Sequence, residues 1–128
     1  LRMEAHCRGA KQIAEFLQNH PKVTRVHYPG LPGHPGFEVA VRQMKDFGGM
    51  VSFEVASRDE AVRIVESTEL FFLAESLGGV ESLIELPGPM THASVSGSPI
   101  EVPDTLIRLS VGIEHPDDLL GDLEQALG

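Results

Sequence analysis

Thr105-Leu-Ile-Arg-Leu-Ser-Val-Gly-Ile-Glu114 alternates strictly, with the side-chain period of a β-strand. Ile107, Leu109, Val111 and Ile113 share one face, which is all apolar. Leu106, Arg108, Ser110 and Gly112 share the other. That second face sets an arginine beside a hydroxyl and a residue with no side chain. The space in front of the cation suits a carboxylate, because a guanidinium presents a planar fork matching two oxygens. The pattern taken alone fits better an ordinary one-sided strand whose Arg108 points into solvent.

Outward from this strand, the spacing sets the remaining elements. Pro116 at a first helical position, with Asp117 and Asp118 in the first turn, opens a helix that turns Leu119, Leu120, Leu123, Ala126 and Leu127 inward. On the other side, residues 85–104 hold four prolines and few periodic apolar positions, and read as a long loop. Leu70 to Leu77 is apolar enough for a buried strand. Ser57 and Glu60 form a capping-box signature before a helix burying Ala61, Ile64, Val65 and reaching Thr68. Met50 to Val55 alternates, with Val51, Phe53 and Val55 on the core face. Pro35 opens a helix carrying Phe37, Ala40, Val41 and Met44 inward, and Gly48-Gly49 break it. Three prolines and three glycines make 29–36 a loop, and Val23 to Tyr28 a short strand before it. Met3, Cys7, Ala10, Ile13, Ala14 and Leu17 recur at helical spacing over 3–19, stopped by Asn19-His20-Pro21. The order α, β, α, β, α, β, loop, β, α predicts an α+β fold. It is a small, mostly antiparallel sheet covered on one face by helices, in one domain over 1–128.

Composition narrows the function. The chain has 128 residues and a formal net charge of −9. That charge argues against nucleic acid and against anionic membranes, both of which reward basic surfaces. No apolar run approaches the ~18 to 20 residues of a membrane span. Leu1-Arg2-Met3-Glu4 has no signal-peptide layout and does not begin with Met, so the chain reads as a fragment or a processed product. Cys7 is the sole cysteine and makes no internal disulfide, which fits a reducing, cytoplasmic compartment. It falls on the apolar side of its helix and reads as a buried structural thiol. The six histidines show no metal-ligand spacing with a cysteine or carboxylate partner, so no metal site is expected. Gly30 to Gly36 lacks the Lys-Ser/Thr ending of a phosphate loop. Glu75-Ser76 ends an apolar segment that Gly78-Gly79 turn at once. Ligand contacts gather at such strand mouths, although a polar strand end facing water is the commoner outcome.

Three linked motifs carry a resemblance. They are Glu75-Ser-Leu-Gly-Gly-Val-Glu-Ser-Leu83, Met90-Thr-His-Ala93 and Leu106-Ile-Arg-Leu-Ser-Val-Gly-Ile-Glu114. With Leu1-Arg-Met-Glu-Ala-His6, Tyr28-Pro-Gly-Leu-Pro-Gly-His-Pro35 and Phe47-Gly-Gly-Met50, they resemble the C-terminal domain of the Cys/Met-metabolism family of pyridoxal-phosphate enzymes. Within it, the chain is most similar to the members that cleave cystathionine by γ-elimination, and next to those that build it by γ-replacement; Glu75 before Ser76 resembles both. The resemblance implies that Arg108 grips the substrate's α-carboxylate, that Ser76 lines the same site, and that Thr91 is a more distant pocket residue. Glu75 is expected at the pocket mouth as a selector of substrate. It implies pyridoxal 5′-phosphate as cofactor, an amino acid as substrate and a homotetramer for the intact enzyme. The family's Schiff-base lysine lies in a larger N-terminal domain, and Lys11, Lys22 and Lys45 lack its Ser-x-Thr-Lys context. This chain is therefore expected to hold half of an active site and to be inactive alone. A domain that packs on a larger one should expose apolar surface, expected on the 3–19 helix and the 85–104 loop. The competing reading is a non-catalytic module that binds an amino acid or a partner domain.

Overall fold

The computed structural model describes every residue of the chain except Ala93, Val95 and Ile100. The elements are α1 (Arg2–Gln18), β1 (Val23–His27), α2 (Phe37–Gln43), β2 (Met50–Val55), α3 (Arg58–Ser67), β3 (Phe72–Leu73), β4 (Leu83–Glu85), α4 (Pro87–Thr91), β5 (Leu106–Ser110) and α5 (Pro116–Leu127). The strands form one five-stranded sheet in the order β1-β2-β5-β4-β3. Neighbours run antiparallel except β3 and β4, which are parallel. The expected mostly antiparallel sheet is therefore present, and β5 lies at its centre.

Helices α1, α3 and α5 pack together over one face of this sheet. Their Ile13, Leu17, Ile64, Leu119 and Leu123 meet Phe53, Ile107 and Leu109, and all are buried. Local signals place these helices. Ser57 Oγ accepts from Glu60 N at 3.2 Å and starts α3. Pro116 occupies the first turn of α5, where its missing N–H costs nothing. The far end of α5 has no basic residue of its own in the last turn. Lys22 Nζ donates to Leu127 O at 2.7 Å, and Arg63 reaches Ala126 O at 2.8 Å, so cations from elsewhere meet its negative end.

Several expectations are corrected. Leu70 to Leu77 is not a buried strand: β3 is two residues long, and Leu70, Phe72, Leu73 and Leu77 are exposed while Phe71 is buried. This segment runs at the sheet edge, and Asp122 fixes its entry. Asp122 accepts from Glu69 N at 2.7 Å, Leu70 N at 2.8 Å and Phe71 N at 3.0 Å. The 85–104 stretch is not one loop. It takes in the last residue of β4 and the whole of α4. A three-residue strand buried at every position shows no alternation to read. In α2 only Ala40 is buried, and Val41 and Met44 are exposed. Ile113 is exposed because β5 ends at Ser110. On α1 an exposed apolar side chain is found at Met3, and others stand outside it at Leu1, Phe72, Leu77 and Val80. Among the described residues of 85–104, Leu86 is buried and Met90 and Val102 are half-buried, while Val95 and Ile100, which belong to the same expectation, lie outside the described residues. No helix among the described residues is long and apolar enough to cross a membrane.

Candidate carboxylate-binding site

Arg108 stands on the face of the sheet opposite the helices, in the central strand. The register sets His27, Ser52, Arg108 and Glu85 in one row across β1, β2, β5 and β4. Residues directly opposite on antiparallel strands share a face, so this row is a line of neighbours. The Arg108 side chain is 20% exposed and the Glu85 side chain 0%. Nη1 of Arg108 lies 2.7 Å from Glu85 Oε1, an ion-pair distance without hydrogen-bond alignment. Nη2 donates to the carbonyls of Glu75 at 2.9 Å and Ser76 at 3.1 Å. Nε is buried and has no acceptor among the described residues. Burial pushes the Glu85 carboxyl above its ordinary range. The Arg108 charge opposes that rise, Glu75 adds to it and His92 opposes it.

The loop over 74–82 is knitted to the end of β5. Gly78 N donates to Ser110 Oγ at 2.8 Å, and Ile113 N to Val80 O at 2.9 Å. Ser82 is a second clasp: its N donates to Glu114 Oε1 at 2.7 Å and its hydroxyl to Glu114 Oε2 at 2.8 Å. The same hydroxyl accepts from Gly112 N at 2.8 Å. Gly112 has to be glycine, because a Cβ there would collide with the Val80 carbonyl oxygen and the Glu114 carboxylate. Gly78 has φ +75°, a conformation L side chains rarely adopt, with which the chain reverses over Arg108. Arg2 Nη2 adds a bond to Gly78 O at 3.0 Å, and so ties α1 to the loop.

The structure thus brings Arg108, Glu75 and Ser76 together, through the carbonyls of the latter two. The Glu75 and Ser76 residues are themselves exposed, at the mouth. Thr91 is not in contact with them by hydrogen bonds among the described residues. It ends α4, where its hydroxyl donates to Pro87 O at 3.0 Å and lies 2.8 Å from His92 Nδ1. Ala93, the last residue of the Met90–Ala93 motif, lies outside the described residues. Glu85 was not legible as a site residue, because its place opposite Arg108 depends on β4. Its one sequence signal is a carboxylate ending an apolar Leu83-Ile84 pair.

Chemically the site can hold an anion against a fixed cation. It does not itself fit pyridoxal phosphate as a covalent holder. Lys22 is committed to the end of α5, and Lys11 and Lys45 are exposed, on α1 and after α2. Cys7 is buried, and burial raises its thiol above the ordinary range, in keeping with a structural role.

Relatives named cystathionine γ-synthase from Mycobacterium tuberculosis are 63% identical over 100% of this chain. One named cystathionine γ-lyase from Dictyostelium discoideum is 59% identical, and one named cystathionine β-lyase from Lactococcus lactis 54%. The chain spans about a third of the length of these relatives (33%, 34% and 34%). The crystal structure of metB from Corynebacterium glutamicum superposes with a TM-score of 0.96 at 57% identity, covering 98% of this chain and 33% of that one. The family described as Cys/Met metabolism PLP-dependent enzyme matches residues 1–128, and the chain belongs to that family, whose full-length members use pyridoxal 5′-phosphate.

Proposed function

We propose that this chain is the C-terminal domain of a cytoplasmic transsulfuration enzyme, and that Arg108 grips the α-carboxylate of its amino-acid substrate. The observation that carries the reading is Arg108 itself. It is a mostly buried cation, fixed by two carbonyls and a carboxylate, that keeps a buried Nε–H without an acceptor among the described residues. A buried donor of this kind gains from an anion that reaches it. The cofactor and its lysine belong to a preceding domain of the full-length protein. Pyridoxal phosphate acts there as an electron sink. This chain binds and orients the carboxylate end, and its 74–82 loop closes over the guanidinium.

The reaction proposed first is cleavage of cystathionine to cysteine, 2-oxobutanoate and ammonia. Glu75 supports it: an exposed carboxylate at the mouth can pair with the ammonium at the far end of cystathionine. The second reading is γ-replacement, joining cysteine to an activated homoserine, and the identity to the mycobacterial relatives favours it. Incubating the full-length protein with cystathionine alone, and then with an activated homoserine plus cysteine, separates the two by keto-acid or cystathionine formation. The intact protein is proposed to be a homotetramer.

Removing one partner of a desolvated charge pair costs ~2 to 5 kcal/mol. Arg108→Ala in the full-length enzyme is therefore expected to lower kcat/KM at least about tenfold. Arg108→Lys is expected not to restore it, because a point charge lacks the fork. Near-normal kinetics for either variant would overturn the assignment.

A further inference from the structure

The Arg108 site holds one carboxylate more than its proposed task calls for. Glu85 lies directly opposite Arg108 in the β4–β5 register and is fully buried. Its Oε1 is 2.7 Å from Nη1, and its Oε2 has no hydrogen-bond donor among the described residues. In the empty site the two charges balance. A substrate carboxylate arriving at the same guanidinium makes two anions for one cation, in a place with little water. Two carboxylates that share a site drive one of them to hold a proton. The one to do so is Glu85. Its side chain is fully buried, which disfavours its charge, whereas the arriving carboxylate comes from the exposed mouth. Once protonated, Glu85 gains an O–H donor that an incoming carboxylate can accept.

We propose that Glu85 is a positioning residue that holds Arg108 as an ionised partner in the empty site and takes one proton from solvent when the substrate carboxylate binds. This rests on the reading of Arg108 as the carboxylate grip. The groups that face Glu85 are Arg108 from β5, Glu75 from the 74–82 loop and His92 just beyond α4. The next residue along the row, Ser52 on β2, is uncharged. His27 on β1 is paired with Glu54 at 2.7 Å. Phe72 and Leu73 of β3 bring no charge.

The test uses the full-length holoenzyme and butanoate, a carboxylate with no amino group of its own to titrate. Its binding is measured calorimetrically near about pH 7.5 in two buffers of different protonation enthalpy, and its Kd is followed with pH. The wild type is expected to take up close to one proton per butanoate bound, so that Kd rises by up to about tenfold per pH unit. Glu85→Gln, which keeps the shape without the charge, is expected to take up none, and its Kd is expected to stay flat with pH. A Glu85 that only supports the fold would change the melting temperature and leave the proton count alone.

Absence of uptake in the wild type between about pH 6.5 and 8.5 overturns the proposal whether or not the variant folds. Unchanged uptake in Glu85→Gln also overturns it, and hands the proton to His92 or another group. Arg108→Ala separates the two levels. If butanoate affinity survives that change, the carboxylate-grip reading itself falls. If affinity is lost while Glu85→Gln still takes up a proton, only the role given to Glu85 falls.

Discussion

Replacing Arg108 by alanine tests the ion pair through stability, independently of catalysis. The change leaves the Glu85 carboxylate buried at 0% exposure with no cation beside it. Breaking a buried pair from one side costs roughly 3 to 5 kcal/mol. Glu85 can relieve part of that by binding a proton, and burial already pushes its carboxyl upward. Its folded pKa then lies further above the unfolded value, so the folded state binds more protons between the two. Stability therefore falls as pH rises from the unfolded value through the folded one. Two lost hydrogen bonds to the Glu75 and Ser76 carbonyls add a part that does not depend on pH, about 1 kcal/mol. The expected cost of Arg108→Ala is about 3 kcal/mol near about pH 8 and about 1 kcal/mol near about pH 5. Urea unfolding of the 128-residue chain at the two pH values measures it. The double variant Arg108→Ala/Glu85→Gln is expected to show only the pH-independent part. A cost for Arg108→Ala that is equal at both pH values, or a double variant no more stable than the single one, would refute the reasoning.

Asp122→Ala is expected to lower stability by ~3 kcal/mol in urea unfolding, because it leaves the buried Phe71 N–H unpaired and removes the acceptor from Glu69 and Leu70. Burial works against the ionised Asp122, yet the backbone donors of Glu69, Phe71 and Leu70 and the Gln125 side chain outweigh it and hold the carboxyl below its ordinary value. The stability it gives is therefore present above the unfolded pKa and lost as pH falls through the folded one, a decline that Asp122→Ala should not show. Gly112→Ala is expected to cost ~1 to 3 kcal/mol in melting experiments and to loosen the 74–82 loop, seen as faster amide exchange at Gly78. Glu75→Val in the full-length enzyme is expected to weaken turnover of cystathionine and improve that of methionine, and equal changes in both efficiencies would remove Glu75 as a selector.

The sequence was most readable where one element could be recognised without its neighbours. The apolar faces of α1, α3 and α5, the Ser57 cap and the Pro116 start each depend on residues within a few turns of one another. The alternation of β2 survives intact, because a strand with one buried face repeats every second residue. β3 and β4 were not readable in this way. One is two residues long at a sheet edge and the other three residues long and buried throughout, so neither shows a period. Leu70 to Leu77 is apolar and yet mostly exposed in this structure. Apolar character alone carries no information about which other surface a segment faces.

The site divides along the same line. Arg108 stood out by its small neighbours on one strand face, whereas its partner Glu85 emerges only when two strands 23 positions apart in these residue numbers are set in register. Ser82 and Glu114 carried no reading of their own in the sequence, and with Ser110 and Gly112, the small neighbours of Arg108, they form the clasp that closes the 74–82 loop over the guanidinium. That division bears on specificity. In the role proposed for them, the clasp and Arg108 together serve an α-carboxylate, which every amino-acid substrate carries, so they would not distinguish γ-cleavage from γ-replacement. A residue that separates substrates must reach the end where they differ. Glu75 is the residue proposed for this: its backbone carbonyl accepts from Arg108, while the residue is otherwise exposed at the mouth. On the proposed reading the backbone of Glu75 is tied to what all substrates share, and its side chain is left for what sets them apart.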